Sequence, residues 1–169
     1  MYRNWSKAFR QGNAVYKLNM LGNATIATVE DRFVDAVGLD VRTVRVLRLI
    51  SDTPGIGFAE IATLGALERS LASRLIQTLV RGGYVSRQND PQDARRFGLY
   101  ITETGKAARR RADLLSDVGL KLLFEAFDPA EVATFIAMMD RLADWIDSDT
   151  FERHASARFD EAARLARSL

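Results

Sequence analysis

The chain has 169 residues, and it contains no cysteine and a single histidine. Without cysteine there can be no disulfides, no thiolate metal ligands and no thiol-based redox sensing. The one histidine, His154, stands beside Arg153 in a charged segment, so we expect it to be solvated and not to act as a general base. These absences remove most of the side chains on which catalytic and metal sites are built.

Long hydrophobic runs are also absent. No run approaches the roughly 18 apolar residues that a membrane helix needs. Arg3, Lys7 and Arg10 interrupt the first ten residues, which excludes the apolar core of a secretory signal. We therefore expect a cytoplasmic protein with no membrane partner.

The motifs of phosphate-binding loops and of nucleophilic serines are missing as well. Aspartates do share helical faces, for example Asp140, Asp144 and Asp147, but they lie opposite apolar stripes, as on any solvated helix. The sequence therefore predicts that the protein is not an enzyme and has no catalytic residues, metal site or cofactor.

What the chain does have is an uneven distribution of charge. Its net charge is only +2, yet residues 69–111 carry ten Lys/Arg and three Asp/Glu, a local net of +7. Residues 112–169 carry six basic and twelve acidic residues, a net of −6. A basic segment followed by an acidic one is typical of a protein that turns one region toward nucleic acid phosphates. The alternative is that the arginines only solvate a surface.

The basic segment contains a strong helical pattern. Leu71, Leu75 and Leu79 repeat at four-residue spacing and form one apolar stripe, and Gly82-Gly83 ends the helix. The opposite face of this helix is polar and basic, and it carries Ser70, Ser73, Arg74, Gln77 and Arg81.

A β-hairpin is predicted to follow the helix. Residues 84–87 and 99–102 are rich in aromatic and β-branched side chains, which favours two strands. The turn-rich residues 89–96 join them and end in Arg95 and Arg96. A polar helix followed by a basic hairpin suits the major groove and the adjacent backbone or minor groove of DNA.

This segment resembles the winged helix of the MarR family of bacterial transcriptional regulators. The resemblance rests on residues 70–75 at the start of the recognition helix and 79–85 at its end. It also rests on Asp93-Ala94-Arg95, which matches the family's Asp-x-Arg wing, and on residues 101–105 after the wing. The resemblance covers roughly residues 38–146. It implies a mainly α fold with a small β-hairpin wing, a winged helix-turn-helix, and a helical dimerisation region built from both chain ends.

The resemblance also implies roles for the DNA-facing residues. Arg95 would enter the minor groove, with Asp93 holding the hairpin through an ion pair, although Asp93 can equally be an ordinary Asx-turn residue. Arg96 would contact phosphate. On the helix, geometry allows Arg74 to pair with a guanine and Gln77 with an adenine, while a surface salt bridge and simple exposure are the alternatives.

The remaining positions on that helix are expected to be less specific. The hydroxyl groups of Ser70 and Ser73 suit phosphate or bridging water. Glu68 departs from the resemblance, since the family usually has Ser or Thr at that capping position. A carboxylate there would repel nearby phosphate unless it turns inward.

Helices are expected over most of the chain. One spans about 13–36, one follows an Asp40 cap to about residue 50, and one spans 58–64 with Ile61 and Leu64 facing inward and Gly65 as the turn. Thr102 is expected to cap a helix that runs to about residue 127, with an inner face of Leu115, Val118, Leu122 and Leu123. Asp128-Pro129-Ala130-Glu131 then has the form of a capping box.

As a whole, residues 1–169 are expected to form a single MarR-like domain. About 40–105 would be the DNA-binding lobe, and about 1–37 and 106–169 the dimerisation lobe. Four aromatic residues near the chain ends would meet a second subunit, unless they cover the monomer's own core, namely Trp5, Phe9, Phe151 and Phe159.

The sequence therefore predicts a homodimeric repressor that binds a palindromic operator in double-stranded DNA. The resemblance implies a small aromatic or anionic effector, and helix position suggests Tyr16, Arg42 and Arg45 as its neighbours. The alternative function is a winged-helix protein-interaction module that does not bind DNA.

Overall fold

The computed structural model describes residues 13–89 and 97–168 of the chain. The chain divides after Lys121 into two compact units. Across the described residues, none of the helices combines the length and the apolar character needed to cross a membrane.

The first unit begins with two helices joined by a tight turn. Helix α1 spans Ala14–Val37, and Asn13 caps it by accepting the backbone N–H of Tyr16 at 3.0 Å. Helix α2 spans Val41–Asp52 and begins at the predicted cap, Asp40, whose carboxylate accepts both the backbone N–H and the hydroxyl of Thr43. The bond to its hydroxyl satisfies Thr43, which is a buried polar residue.

The helix-turn-helix consists of α3, Phe58–Leu64, and α4, Arg69–Arg81. The bounds of α3 agree with the prediction and Ile61 is buried, but Leu64 is 63% exposed, so its inward assignment was wrong. The turn also differs from expectation, because the left-handed residue is Ala66, with φ 49°, and not Gly65. Gly65 is still constrained, since a β-carbon there would lie 2.8 Å from the carbonyl oxygen of Ile61.

Strands β1, Val85–Asn89, and β2, Phe97–Ile101, pair in antiparallel register, with Val85 opposite Ile101 and Arg87 opposite Leu99. Leu99 also bridges to Ile56, just before α3, so the hairpin is tied to the helix-turn-helix by backbone hydrogen bonds. The predicted fold class, mainly α with one small hairpin, is confirmed.

Helix α5, Glu103–Leu123, leaves the hairpin at the predicted cap. The hydroxyl of Thr102 accepts the backbone N–H of Gly105 and donates to the carbonyl oxygen of Gly83 at 2.6 Å. Its buried residues are small (Gly105, Ala108 and Ala112), and Leu115 packs beside them. Val118, Leu122 and Leu123, which were expected to face the core, are exposed.

The core of the first unit is contributed by every element from α1 to α5. Its largest fully buried side chains are Leu47, Ile50, Ile56, Ile61, Leu79 and Leu99. The apolar stripe of α4 therefore seats the helix on α2 and α3, and its other side is left to solvent.

The second unit is a pair of helices, α6, Pro129–Ile146, and α7, Asp149–Ala166. The predicted capping box is present, because Asp128 accepts the N–H groups of Ala130 and Glu131 while Glu131 accepts that of Asp128 at 3.0 Å. Neither helix has a buried residue, although α6 carries the predicted apolar pattern.

Candidate nucleic-acid interface

The recognition helix α4 separates its faces as its sequence predicts. Ala72, Leu75, Ile76 and Leu79 are buried, and Leu71 packs at the edge of the core. Among the predicted contact residues, Ser73 is half-buried and the exposed ones are Ser70, Arg74, Gln77 and Arg81. The five polar side chains thus lie together on the solvent side of one rigid helix.

Contacts within this polar face are weak. The side-chain amide of Gln77 lies 3.5 Å from the hydroxyl of Ser73, and the Thr78 hydroxyl donates to the carbonyl oxygen of Arg74. The salt bridges formed between described residues involve neither Arg74 nor Arg81. Their guanidinium charges therefore remain available to an anionic partner.

The first turn of α4 is poorly capped. Glu68 occupies the N-cap position, but its side chain accepts no hydrogen bond from the helix, and it is exposed. The first amides of α4 consequently lack the side-chain acceptor that a Ser, Thr or Asp would supply. Free amides at a helix N-terminus are suited to an anion, while the Glu68 carboxylate opposes one.

Three residues of the predicted site, Asp93, Arg95 and Arg96, lie outside the described residues. What the structure does describe of the wing is its two strands, where the guanidinium of Arg87 lies 5.1 Å from the centre of the Phe97 ring. Sequence reasoning did not single out Arg87. The signal was its position two residues after the buried Val85, which puts both side chains on one face of the strand.

A network of ion pairs fastens α2 to α5. Arg48 donates to Asp113 at 2.8–3.0 Å and to the Ser116 hydroxyl, while Arg109 donates to Asp52 and to Asp113. The hydrogen bond from Asp52 raises the pKa of Arg109, so this guanidinium stays charged. Two of the chain's arginines are thus committed to holding the helices that support α4.

A second ion pair lies at the start of α5. Lys106 donates to Glu103 at 2.7 Å, and this bond lowers the pKa of the Glu103 carboxyl. Both side chains are well exposed, so the pair contributes little to stability.

The three suggested effector neighbours are not brought together within one chain. Tyr16 lies in the first turn of α1, whereas Arg42 and Arg45 are exposed near the start of α2. The length of α1 between these points is roughly 30 Å at 1.5 Å per residue. The effector site therefore stays a prediction.

Groups of acidic and imidazole side chains give no sign of a metal centre. Among residues 13–89 and 97–168, no three of the possible His, Asp or Glu ligands cluster in a way that could hold an ion. His154 instead lies with its ring 6.1 Å from that of Trp145.

Comparison with known proteins agrees with this architecture. Residues 37–96 match the model of the MarR family, a span that contains α2, α3, α4 and the start of the wing. The chain is 28% identical over 101 residues to the HTH-type transcriptional regulator PetP of Rhodobacter capsulatus. That alignment covers 59% of this chain and 60% of PetP, so the chain spans less than two thirds of this curated relative.

Two solved structures extend the likeness to most of the chain. A crystal structure of MarR has a TM-score of 0.69 and 25% identity, over 79% of this chain and 96% of MarR. CouR from Rhodococcus jostii RHA1, solved bound to p-coumaroyl-CoA, has a TM-score of 0.66 and 25% identity, over 78% of this chain and 92% of CouR. With its recognition helix, hairpin and matched segment in the same place, the chain belongs to the MarR family of winged helix-turn-helix transcriptional regulators.

Proposed function

We propose that the protein is a dimeric, sequence-specific regulator of transcription that binds double-stranded DNA. The observation that carries this proposal is the solvent face of α4, where Arg74 and Arg81 have no salt-bridge partner among the described residues. A helix with one face seated in the core and the other polar and basic has the form that enters a major groove.

The residues of α4 divide into base-reading and backbone-binding groups. Arg74 and Gln77 lie three residues apart on the exposed face, in the middle of the helix, and can reach the edges of neighbouring base pairs. Ser70, Ser73 and Arg81 flank them and suit phosphate oxygens. Arg95 would insert into the adjacent minor groove with Asp93 orienting it, and Arg96 would contact phosphate.

Dimerisation is supported by the apolar surface that the described residues leave open. Met138 on α6 is 62% exposed, Phe159 on α7 is 74% exposed, and Val15 on α1 is 77% exposed. Apolar exposure on this scale marks an interaction surface. We assign it to a second copy of the chain, because a two-fold dimer would place two copies of α4 on successive half-sites of a palindromic operator.

The predicted division into lobes enters the proposal unchanged. About 40–105 would bind DNA, and about 1–37 and 106–169 would form the dimer. A repressor released by a small aromatic or anionic compound fits this arrangement, and CouR, a protein of the same fold, was solved with p-coumaroyl-CoA. Tyr16, Arg42 and Arg45 are the side chains that we propose to test for such an effector.

The second candidate is a winged helix that binds a protein and not DNA. A polar face carrying Arg74 and Arg81 gives such a module no advantage, and it is what a DNA-binding helix requires. The two candidates differ in a simple measurement, the affinity of the full chain for duplex DNA across a range of salt concentrations.

The experiment has two steps. Duplexes are first selected from a random pool by the full chain, and binding to a selected duplex and a random duplex is then measured as salt is raised. A DNA-binding regulator shows preference for the selected duplex and a steep loss of affinity with salt. Absence of enrichment together with absence of salt-dependent binding would refute the proposal and favour the protein-interaction module.

A further inference from the structure

We infer that Arg87, on strand β1, is a further DNA contact that binds a backbone phosphate, and that the ring of Phe97 positions it. The inference rests on the proposed function and concerns the same surface. It assigns a role to the part of the hairpin between the core and the wing loop.

The register of the hairpin sets the direction of both side chains. Residues directly opposite one another on antiparallel strands lie on the same face, and so do residues two apart on one strand. Arg87 is opposite Leu99, which is fully buried, and Phe97 lies two residues before Leu99. Arg87 and Phe97 therefore share the hairpin face that packs on the core.

That face is turned toward the recognition helix. Val85, two residues before Arg87, is buried in the same core as Leu79 of α4, and β1 contacts α4 directly. Arg87 itself is exposed although its partner Leu99 is not, so it lies where the hairpin passes beyond the core. A guanidinium at that point stands between the groove occupied by α4 and the groove reached by the wing loop.

The partner of Arg87 suits an arginine that must stay charged and available. Its guanidinium lies 5.1 Å from the centre of the Phe97 ring, and Phe97 is 40% exposed. An aromatic face attracts the cation and restricts its rotamers, but it does not neutralise the charge as a carboxylate would. The N–H groups can therefore still form hydrogen bonds with an anion, and the anion at this position on a bound duplex is phosphate.

Phosphate binding predicts a particular signature. We expect Arg87→Ala to weaken binding about tenfold, equally on a selected and on a random duplex. The slope of log K against log salt should fall by about 0.9, the loss of one phosphate contact. The matched control is Arg32→Ala, since Arg32 is an exposed arginine of α1 that donates to a carbonyl oxygen of its own helix and should leave the slope unchanged.

The role of Phe97 is separated from general packing by two substitutions. Phe97→Tyr keeps an aromatic face and should retain affinity, whereas Phe97→Leu keeps apolar bulk and should bind about threefold more weakly. In the Arg87→Ala background, Phe97→Leu should cause no further loss, since the side chain it positions is gone.

Each outcome has a defined meaning. If the parent chain binds no duplex at all, the proposed function fails and this inference fails with it. If the parent binds DNA but Arg87→Ala leaves the salt slope unchanged, or lowers it no more than Arg32→Ala does, only this inference is overturned. Equal losses from Phe97→Leu in both backgrounds would overturn the positioning role of the ring.

Discussion

The carbonyl oxygen of Tyr84 lies directly over Gly105, so close that a β-carbon on residue 105 would come within 2.1 Å of it. The contact joins the end of the recognition helix to the start of α5. It exists because Thr102 binds the carbonyl oxygen of Gly83 through its hydroxyl and that of Tyr84 through its backbone N–H. The supporting scaffold of α4 therefore depends on a residue without a side chain.

Substituting that glycine should be costly. We expect Gly105→Ala to lower the free energy of unfolding by about 3 kcal/mol, because backbone atoms must move apart to admit the methyl group. Urea unfolding followed by circular dichroism measures it. Gly22→Ala on α1 is the matched control, since nothing lies within 4 Å of the added carbon and it should stabilise by about 1 kcal/mol. Similar effects of the two variants would contradict the assigned contact.

The left-handed turn before α4 predicts the opposite kind of change. Ala66 has φ 49°, a conformation in which a β-carbon is strained, so Ala66→Gly should stabilise the fold by about 1 kcal/mol. The reciprocal variant is Gly83→Ala, at φ 70° and in open space, which should destabilise by a similar amount. A loss of stability in Ala66→Gly would show that the entropy of the added glycine outweighs the relief of strain.

The missing cap of α4 can be restored. Glu68→Ser should raise the free energy of unfolding by about 1 kcal/mol, since a hydroxyl can accept an N–H group in the first turn where Glu68 accepts none. Glu68→Ala removes the charge without supplying a cap, so it should leave stability lower than Ser does. Both variants should bind duplex DNA more tightly than the parent if the carboxylate faces phosphate, and unchanged binding would place Glu68 away from the duplex.

Arg74 is expected to read a base. Arg74→Ala should weaken binding to a selected duplex by about 1–3 kcal/mol and relax preference at one position in each half-site. Competition between single-base variants of the selected duplex measures that preference. Equal losses on selected and random DNA would identify Arg74 as a phosphate contact.

The apolar surface of the second unit predicts the assembly state. Removing residues 148–169 deletes α7 with Phe159 and Phe151, so the truncated chain should dimerise more weakly than the full chain. Sedimentation at micromolar concentration compares the two. A monomeric full chain would contradict the dimer, and an unchanged truncated dimer would confine the interface to the other helices.

Local patterns in the sequence determined the elements and their ends. The capping box at Asp128 and Glu131, the cap at Asp40 and the stripe of α4 act over three or four residues, so each can be identified without knowing the rest of the fold. The resemblance to the family added the order of the pieces and the meaning of the hairpin.

Only the tertiary structure decided which apolar positions are buried and which side chains meet. Leu64 and Val118 have the helical spacing of core residues, yet they are exposed, because burial depends on whether another element covers that face. Arg87 and Phe97 are ten positions apart and meet through the register of the two strands, which also sets Arg87 opposite the buried Leu99. Such pairings depend on long-range contacts, and these are established only when the whole chain folds.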